Sequence, residues 1–180
     1  SEGGETVVVM EDCSWKTEAE RQNGHLESGL VGSVLVSTPG KVIIENNVFE
    51  SSGSAILIAG DANAWYESGA VKDVLIRNND FRYTCNSSLY QFCEAVISID
   101  PEIPTPEQKY PYHRNIRIVD NAFHLFDYPI LFARSVDELT FSSNTLIRDT
   151  TYQPYHYRKE GITLEACRSV VISNNKIEGD

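Results

Sequence analysis

Positive charge, sulfur and helical pattern are all scarce in this chain. Its 180 residues include 15 Lys or Arg against 26 Asp or Glu, for a net charge of -11. A surface of that sign repels a phosphate backbone and an anionic membrane surface, which excludes nucleic acid as an expected partner. No apolar run approaches the roughly 20 residues of a membrane-spanning helix, and no basic start with an apolar core marks a signal peptide. Four cysteines, Cys13, Cys85, Cys93 and Cys167, show no C-x-x-C pairing and the four histidines are scattered, so no metal site is expected. Cys85 and Cys93 flank one short segment and suit a disulfide in an oxidising compartment, although four cysteines allow three pairings and buried free thiols fit as well. Asn86-Ser87-Ser88 is a glycosylation sequon, relevant only in a eukaryotic secretory host.

What the sequence has is a repeat. Five segments align without gaps: KVIIENNVF from Lys41, DVLIRNNDF from Asp73, NIRIVDNAF from Asn115, ELTFSSNTL from Glu138 and SVVISNNKI from Ser169. The second and fourth positions are always apolar and the third and fifth are mixed, the alternation of a half-buried strand. The seventh is asparagine in every copy: Asn47, Asn79, Asn121, Asn144 and Asn175. Asparagine tolerates left-handed backbone angles at a turn, and amides stacked at strand spacing can bond one above another. The ninth position, Phe49, Phe81, Phe123, Leu146 and Ile177, returns a large apolar group to the interior.

A second apolar run separates these units, as in SAILIAG from Ser54, EAVISID from Glu94, YPILFAR from Tyr128 and GITLEAC from Gly161. Two or more strands per repeat, irregular spacing and no helical period predict an all-β right-handed parallel β-helix. A β-sandwich would supply many short strands, but not asparagine at one turn position five times. The expected organisation is a lead-in segment over 1–31 and β-helix coils over 32–180.

Insertions on such a scaffold are where function is expected. Four stand out, 61–71, 83–93, 100–114 and 149–159, and they hold eight of the nine tyrosines and one of the two tryptophans. Aromatic faces beside carboxylates and amides suit a sugar, whose apolar face stacks while its hydroxyls need oriented partners. AGDANAWYESG, residues 59–69, has that composition in Asp61, Asn63, Trp65 and Glu67. Asp61 and Asp100 both end a second-strand run, so adjacent coils about 4.8 Å apart can pair carboxylates at separations suited to inverting or retaining glycoside hydrolysis. A slip of one residue in that alignment would turn a side chain to the opposite face. Asp61, Glu67, Asp100 and Glu102 are the candidate carboxylates, and His113, Arg114, Tyr155 and His156 are candidate rim contacts. Asp61-Ala62-Asn63 opens like a calcium loop, but Tyr66 stands where glycine is needed and Lys72 where glutamate is, so that match fails.

The run VLVSTPGKVIIENNVFESSGSAILIAGDANAWYESGAVKDVLIRNNDF, then SLYQFCEAVISIDPEIP, then YHRNIRIVDNAFHLFDYPILFARSVDEL, resembles the β-helix of glycoside hydrolase family 110 over about residues 30 to 180. The ordered motifs GD-x-N-x-W-[YF]-ESG, YQFC-x-AVI and HRNI carry the likeness. The family comprises bacterial exo-acting α-1,3-galactosidases, some of which act on blood-group-B-type structures. The resemblance implies inverting hydrolysis of terminal α-galactose, no cofactor, and a secreted or periplasmic setting. It also implies that the principal acids, including an adjacent Asp-Asp pair, lie upstream of the matched region; this chain has no such dipeptide. The chain is therefore expected to be a C-terminal piece of the β-helix, inactive alone, with Asp61 and Glu67 as its nearest candidates for catalysis. A last unit without a polar cap is expected to promote self-association through the coil ends. The alternatives are a non-catalytic carbohydrate-binding or structural β-helix, and a polysaccharide lyase or galacturonase, whose anionic substrates the acidic balance disfavours.

Overall fold

The computed structural model describes residues 7–10, 14–16, 32–62, 69–85, 94–106, 109–150 and 152–179. Strands occur in sets of three, one per coil. The first coil holds β1 (Val7–Met10), β2 (Ser14–Lys16) and β3 (Gly32–Val36), and the second β4 (Lys41–Glu45), β5 (Val48–Glu50) and β6 (Ser54–Ile58). The third holds β7 (Asp73–Arg77), β8 (Asp80–Arg82) and β9 (Ile97–Ile99), and the fourth β10 (His113–Val119), β11 (Ala122–Leu125) and β12 (Leu131–Arg134). The fifth holds β13 (Val136–Ser142), β14 (Thr145–Arg148) and β15 (Ile162–Glu165), and β16 (Arg168–Ser173) with β17 (Lys176–Glu178) begins a sixth.

Corresponding strands pair in parallel from coil to coil, giving three sheets. Sheet A is β1-β4-β7-β10-β13-β16, sheet B is β2-β5-β8-β11-β14-β17, and sheet C is β3-β6-β9-β12-β15. This is a parallel β-helix, with no helix among the described residues. Each repeat unit supplies a strand of sheet A, a two-residue corner and a strand of sheet B. The alternation seen in sequence is the burial pattern: Val42, Ile44, Val74, Ile76, Ile116, Ile118, Leu139 and Phe141 all point into the core.

The corner between sheets A and B explains the invariant asparagine. Asn47 Nδ2 donates to Asn79 Oδ1 at 3.1 Å, Asn79 to Asn121 at 3.0 Å, Asn121 to Asn144 at 3.0 Å and Asn144 to Asn175 at 3.2 Å. Each acceptor oxygen also takes the backbone N–H of the asparagine one coil back, at 2.9 to 3.1 Å. The ladder thus satisfies main-chain donors that a tight corner would otherwise strand in the interior. The left-handed angles belong to the preceding residue instead: Asn46, Asn78, Asp120, Ser143 and Asn174 have φ of 59°, 53°, 56°, 56° and 56°. The sixth position makes the turn and the seventh makes the ladder. Beneath it, Phe49, Phe81 and Phe123 stack with centroids 5.0 and 4.7 Å apart, and Phe141 of sheet A continues the column at 5.8 Å.

Candidate functional site

The insertions fall at two corners only. Loops 59–72 and 100–112 both run from sheet C to sheet A, in successive coils, while 83–96 and 149–161 run from sheet B to sheet C. Sheet C therefore has a loop wall along each margin.

Loops 59–72 and 100–112 leave sheet C side by side. Their ladder continues past the strands: Asp100 N–H donates to Ile58 O at 2.9 Å, Glu102 N–H to Gly60 O at 2.8 Å, and Ala62 N–H to Glu102 O at 3.0 Å. Asp61 consequently stands opposite Glu102, not Asp100, two residues beyond the alignment that the strand ends suggest. Asp61 is buried, Glu102 exposed and Asp100 half-buried. Three acidic residues from two coils thus gather where sheet C turns toward sheet A. Asn63, Trp65 and Glu67 lie outside the described residues.

Asp100 belongs to an ionic row across sheet C. Its Oδ1 accepts from Arg134 Nη1 at 2.8 Å, and Arg134 Nε donates to Glu165 Oε2 at 2.9 Å, so one guanidinium ties three coils. Burial pushes the Asp100 carboxyl above the usual aspartate range; Arg134 opposes this, while Glu94, Glu102 and Glu165 reinforce it. A carboxyl whose pKa is raised holds its proton to higher pH than an ordinary aspartate, the direction a proton donor needs. Because Arg134 fills the space between Asp100 and Glu165, those two do not frame a water and are not an inverting pair.

A second guanidinium comes from the opposite wall. Arg158 Nε donates to Glu94 Oε2 at 2.6 Å, and the Tyr157 hydroxyl donates to the same oxygen at 2.5 Å. Burial alone would raise the Glu94 carboxyl, but these two partners bring it below its ordinary value. The buried Phe132 ring lies between Arg158 and Arg134, with guanidinium carbons 4.5 and 5.3 Å from its centroid. Arg134, Glu165, Glu94 and Arg158 were not among the expected site residues. The first carries a sequence signal, since Asp100 and Arg134 close the second run in consecutive coils with opposite charge, whereas Glu165 lies two residues inside its run and only strand pairing sets it beside Arg134.

The remaining expected contacts divide between the margins. His113 is wholly buried at the start of β10, where Nδ1 accepts from Val71 N–H at 3.1 Å and burial lowers its pKa to about 4. A neutral imidazole enclosed this way holds loop 59–72 against β10 and does not reach the rim. Arg114, next to it, is exposed. Tyr112 joins the two ends of these loops, its ring 4.8 Å from that of His113 and so close to Gly60 that a β-carbon there would lie 2.8 Å from Tyr112 Cε1.

Tyr155 and His156 stand on the other margin. The buried Asp127 carboxylate accepts from the N–H groups of Tyr128, Tyr155 and His156, each at 2.8 Å, and so anchors loop 149–161. The Tyr155 hydroxyl bonds Cys85 O, and burial followed by the Asp127 charge pushes its pKa up. His156 is buried, with Nδ1 accepting from Arg158 N–H at 3.0 Å, so it orients Arg158. Cys85 is disulfide-bonded and Cys167 is free; Cys93 and the sequon lie outside the described residues. No group of three His, Cys, Asp or Glu among the described residues is arranged to hold a metal.

Fold and loops together define a parallel β-helix with an acidic, arginine-braced sheet face between two loop walls. The chain is 83% identical over 178 residues to alpha-1,3-galactosidase B of Bacteroides thetaiotaomicron, covering 99% of the chain and 29% of that protein. It is 43% identical over 176 residues to alpha-1,3-galactosidase B of Akkermansia muciniphila, covering 94% of the chain and 21% of that protein. Alpha-1,3-galactosidase A of Bacteroides fragilis is 39% identical over 175 residues, 95% of the chain and 28% of that protein. The chain thus spans under a third of the length of these curated relatives. No protein-family model matches it. The loop motifs that resemble glycoside hydrolase family 110 thus stand in a chain that is similar, along nearly all of its length, to part of proteins named alpha-1,3-galactosidase.

Proposed function

We propose that this chain forms part of an enzyme that removes terminal α-1,3-linked galactose from glycans by inverting hydrolysis, and that the outer face of sheet C and the loops beside it contact the substrate. The observation carrying this reading is the pairing of Asp61 with Glu102 beside Asp100, in a chain related along its length to proteins named alpha-1,3-galactosidase. In this reading Asp61 and Glu67 act in or next to catalysis. Asn63, Trp65, Asp100, Glu102 and Arg114 contact the sugar, while Tyr155 and His156 support the far wall. The polypeptide expressed from its complete reading frame should release β-galactose first from an α-1,3-galactoside, followed by proton NMR of the anomeric signals. No hydrolysis, or initial release of the α-anomer, refutes the proposal.

One feature favours a non-catalytic binding module as the second reading. Arg134 engages both Asp100 and Glu165, leaving acceptors fixed in place rather than poised as an acid and base pair. Retained galactoside binding without turnover by the complete polypeptide would select it. We further infer a secreted or periplasmic location, supported by the disulfide at Cys85, a bond that persists in oxidising compartments.

A further inference from the structure

A second pocket opens at the sheet A end of the same two loops. It encloses about 350 Å³ and is lined by residues 70–72 and 111–114 together with Asp137 and Arg168. Its wall is one row across sheet A. Arg114 stands opposite Asp137 and Asp137 opposite Arg168. Because Val74 pairs with Ile116, Lys72 joins the row beside Arg114. The row therefore holds three cations and one carboxylate in a chain whose net charge is -11.

That carboxylate is already engaged, since Arg168 Nη2 bonds Asp137 Oδ2 at 2.6 Å while Arg168 Nη1 donates to Lys109 O at 3.1 Å. The side chains of Lys72 and Arg114 have no hydrogen-bond or ion-pair partner among the described residues, and both are exposed. The side behind them is closed by Tyr112 and by His113, whose buried Nε2 has no hydrogen-bond partner either. Two cations at strand spacing, neither with a hydrogen-bond or ion-pair partner among the described residues, match an anion with several oxygens. A guanidinium can bind two of those oxygens and an ammonium a third.

We propose that this pocket binds a compact oxyanion, a sulfate or carboxylate group, between Lys72 and Arg114. The site stands on the geometry of sheet A and does not depend on the galactosidase reading. A free anion from solution and an acidic sugar share this chemistry. The test is titration of the full chain with sodium sulfate and, separately, galactose 6-sulfate, at ionic strength fixed with sodium chloride, following by NMR the backbone amide signals of residues 72 and 112–114, which every variant retains. Saturable shifts are expected with at least one anion. Affinity should fall at least about tenfold in Lys72→Gln and in Arg114→Gln, since each removes a charge-assisted contact, while Arg114→Lys keeps part of it. Tighter binding of galactose 6-sulfate assigns the anion to a sugar, and tighter binding of sulfate assigns it to the free ion. The proposal is overturned by shifts no larger than chloride produces, or by unchanged affinity in the Lys72→Gln, Arg114→Gln double variant.

Discussion

Replacing Asn121 by alanine tests whether the amide ladder holds this solenoid together. The Asn121 side chain donates to Asn144 Oδ1, Ile76 O and Val119 O, each at 3.0 Å, and its Oδ1 accepts from both the backbone N–H and Nδ2 of Asn79 at 3.0 Å. It is 2% exposed, so water cannot take its place. Not every partner is orphaned. Asn79 Nδ2 keeps Ile44 O, and Asn144 Oδ1 keeps the backbone N–H of residue 121. The Asn79 backbone N–H loses the acceptor it has here, at a cost of about 1–3 kcal/mol, and the shared bonds add about 1 kcal/mol each, for a total of roughly 3–5 kcal/mol. Asn175 occupies the same position in the last coil but is only half-buried, so Asn175→Ala should cost about 1 kcal/mol because water can replace part of what is lost. Urea unfolding followed by far-ultraviolet circular dichroism measures both. Equal costs, or less than about 1 kcal/mol for Asn121→Ala, would show that the ladder merely accompanies the fold and that strand packing alone fixes the corner.

Three further outcomes are expected. His113, depressed from 6.5 to about 4 by burial, stays neutral in the folded chain while the unfolded chain takes up a proton. Stability should therefore fall as pH drops from about 6.5 towards 4, by about 3 kcal/mol in all, and His113→Gln should flatten that slope in pH-dependent melts. Asp100 has the opposite sign of shift: its raised pKa contributes stability fully present below the unfolded value of about 3.9 and lost as pH rises through the folded value. Carbon-13 NMR should find its carboxyl titrating above the aspartate norm, and higher again in Arg134→Gln; a normal titration refutes the burial argument. Gly60→Ala should cost about 1–3 kcal/mol through its φ of 153° and its contact with Tyr112, with partial recovery when Tyr112→Ala is added. Full recovery would show that the clash alone matters, and none that the backbone does.

The fold was legible because its signals are local and recur. Alternation at the second and fourth positions decides which way Val42 or Ile118 points, and a five-fold asparagine has few other uses than an internal ladder. The turn was misassigned by one residue because Asn46, Asn78 and Asn174 also read as asparagine, while Asp120 and Ser143 supply the same left-handed geometry with other side chains. The site was less legible because it depends on pairing between coils. Sequence order cannot show that the ladder runs on through Gly60 and Pro101, and that extension is what sets Asp61 against Glu102. Nor can it tell an enclosed histidine from an exposed one. His113 and Arg114 are neighbours in sequence, and strand alternation sends one inside and the other out.

The position of the candidate site follows from the corner that cannot vary. Between sheets A and B the five described corners each spend two residues, one in a left-handed turn and one in the ladder. An extra residue there would break amide bonds in two neighbouring coils as well as its own. The other corners show no such ladder among the described residues, and from the second coil on their lengths range from the single residue Ser135 between β12 and β13 to fourteen residues between β6 and β7 and between β8 and β9. Insertions are thus confined to the two margins of sheet C, leaving sheets A and B joined by a plain edge. Sheet C is the face with long insertions at both of its margins, and on it Asp100, Arg134 and Glu165 line up. The amide ladder, remote from any chemistry, thereby determines which face of the molecule can acquire it.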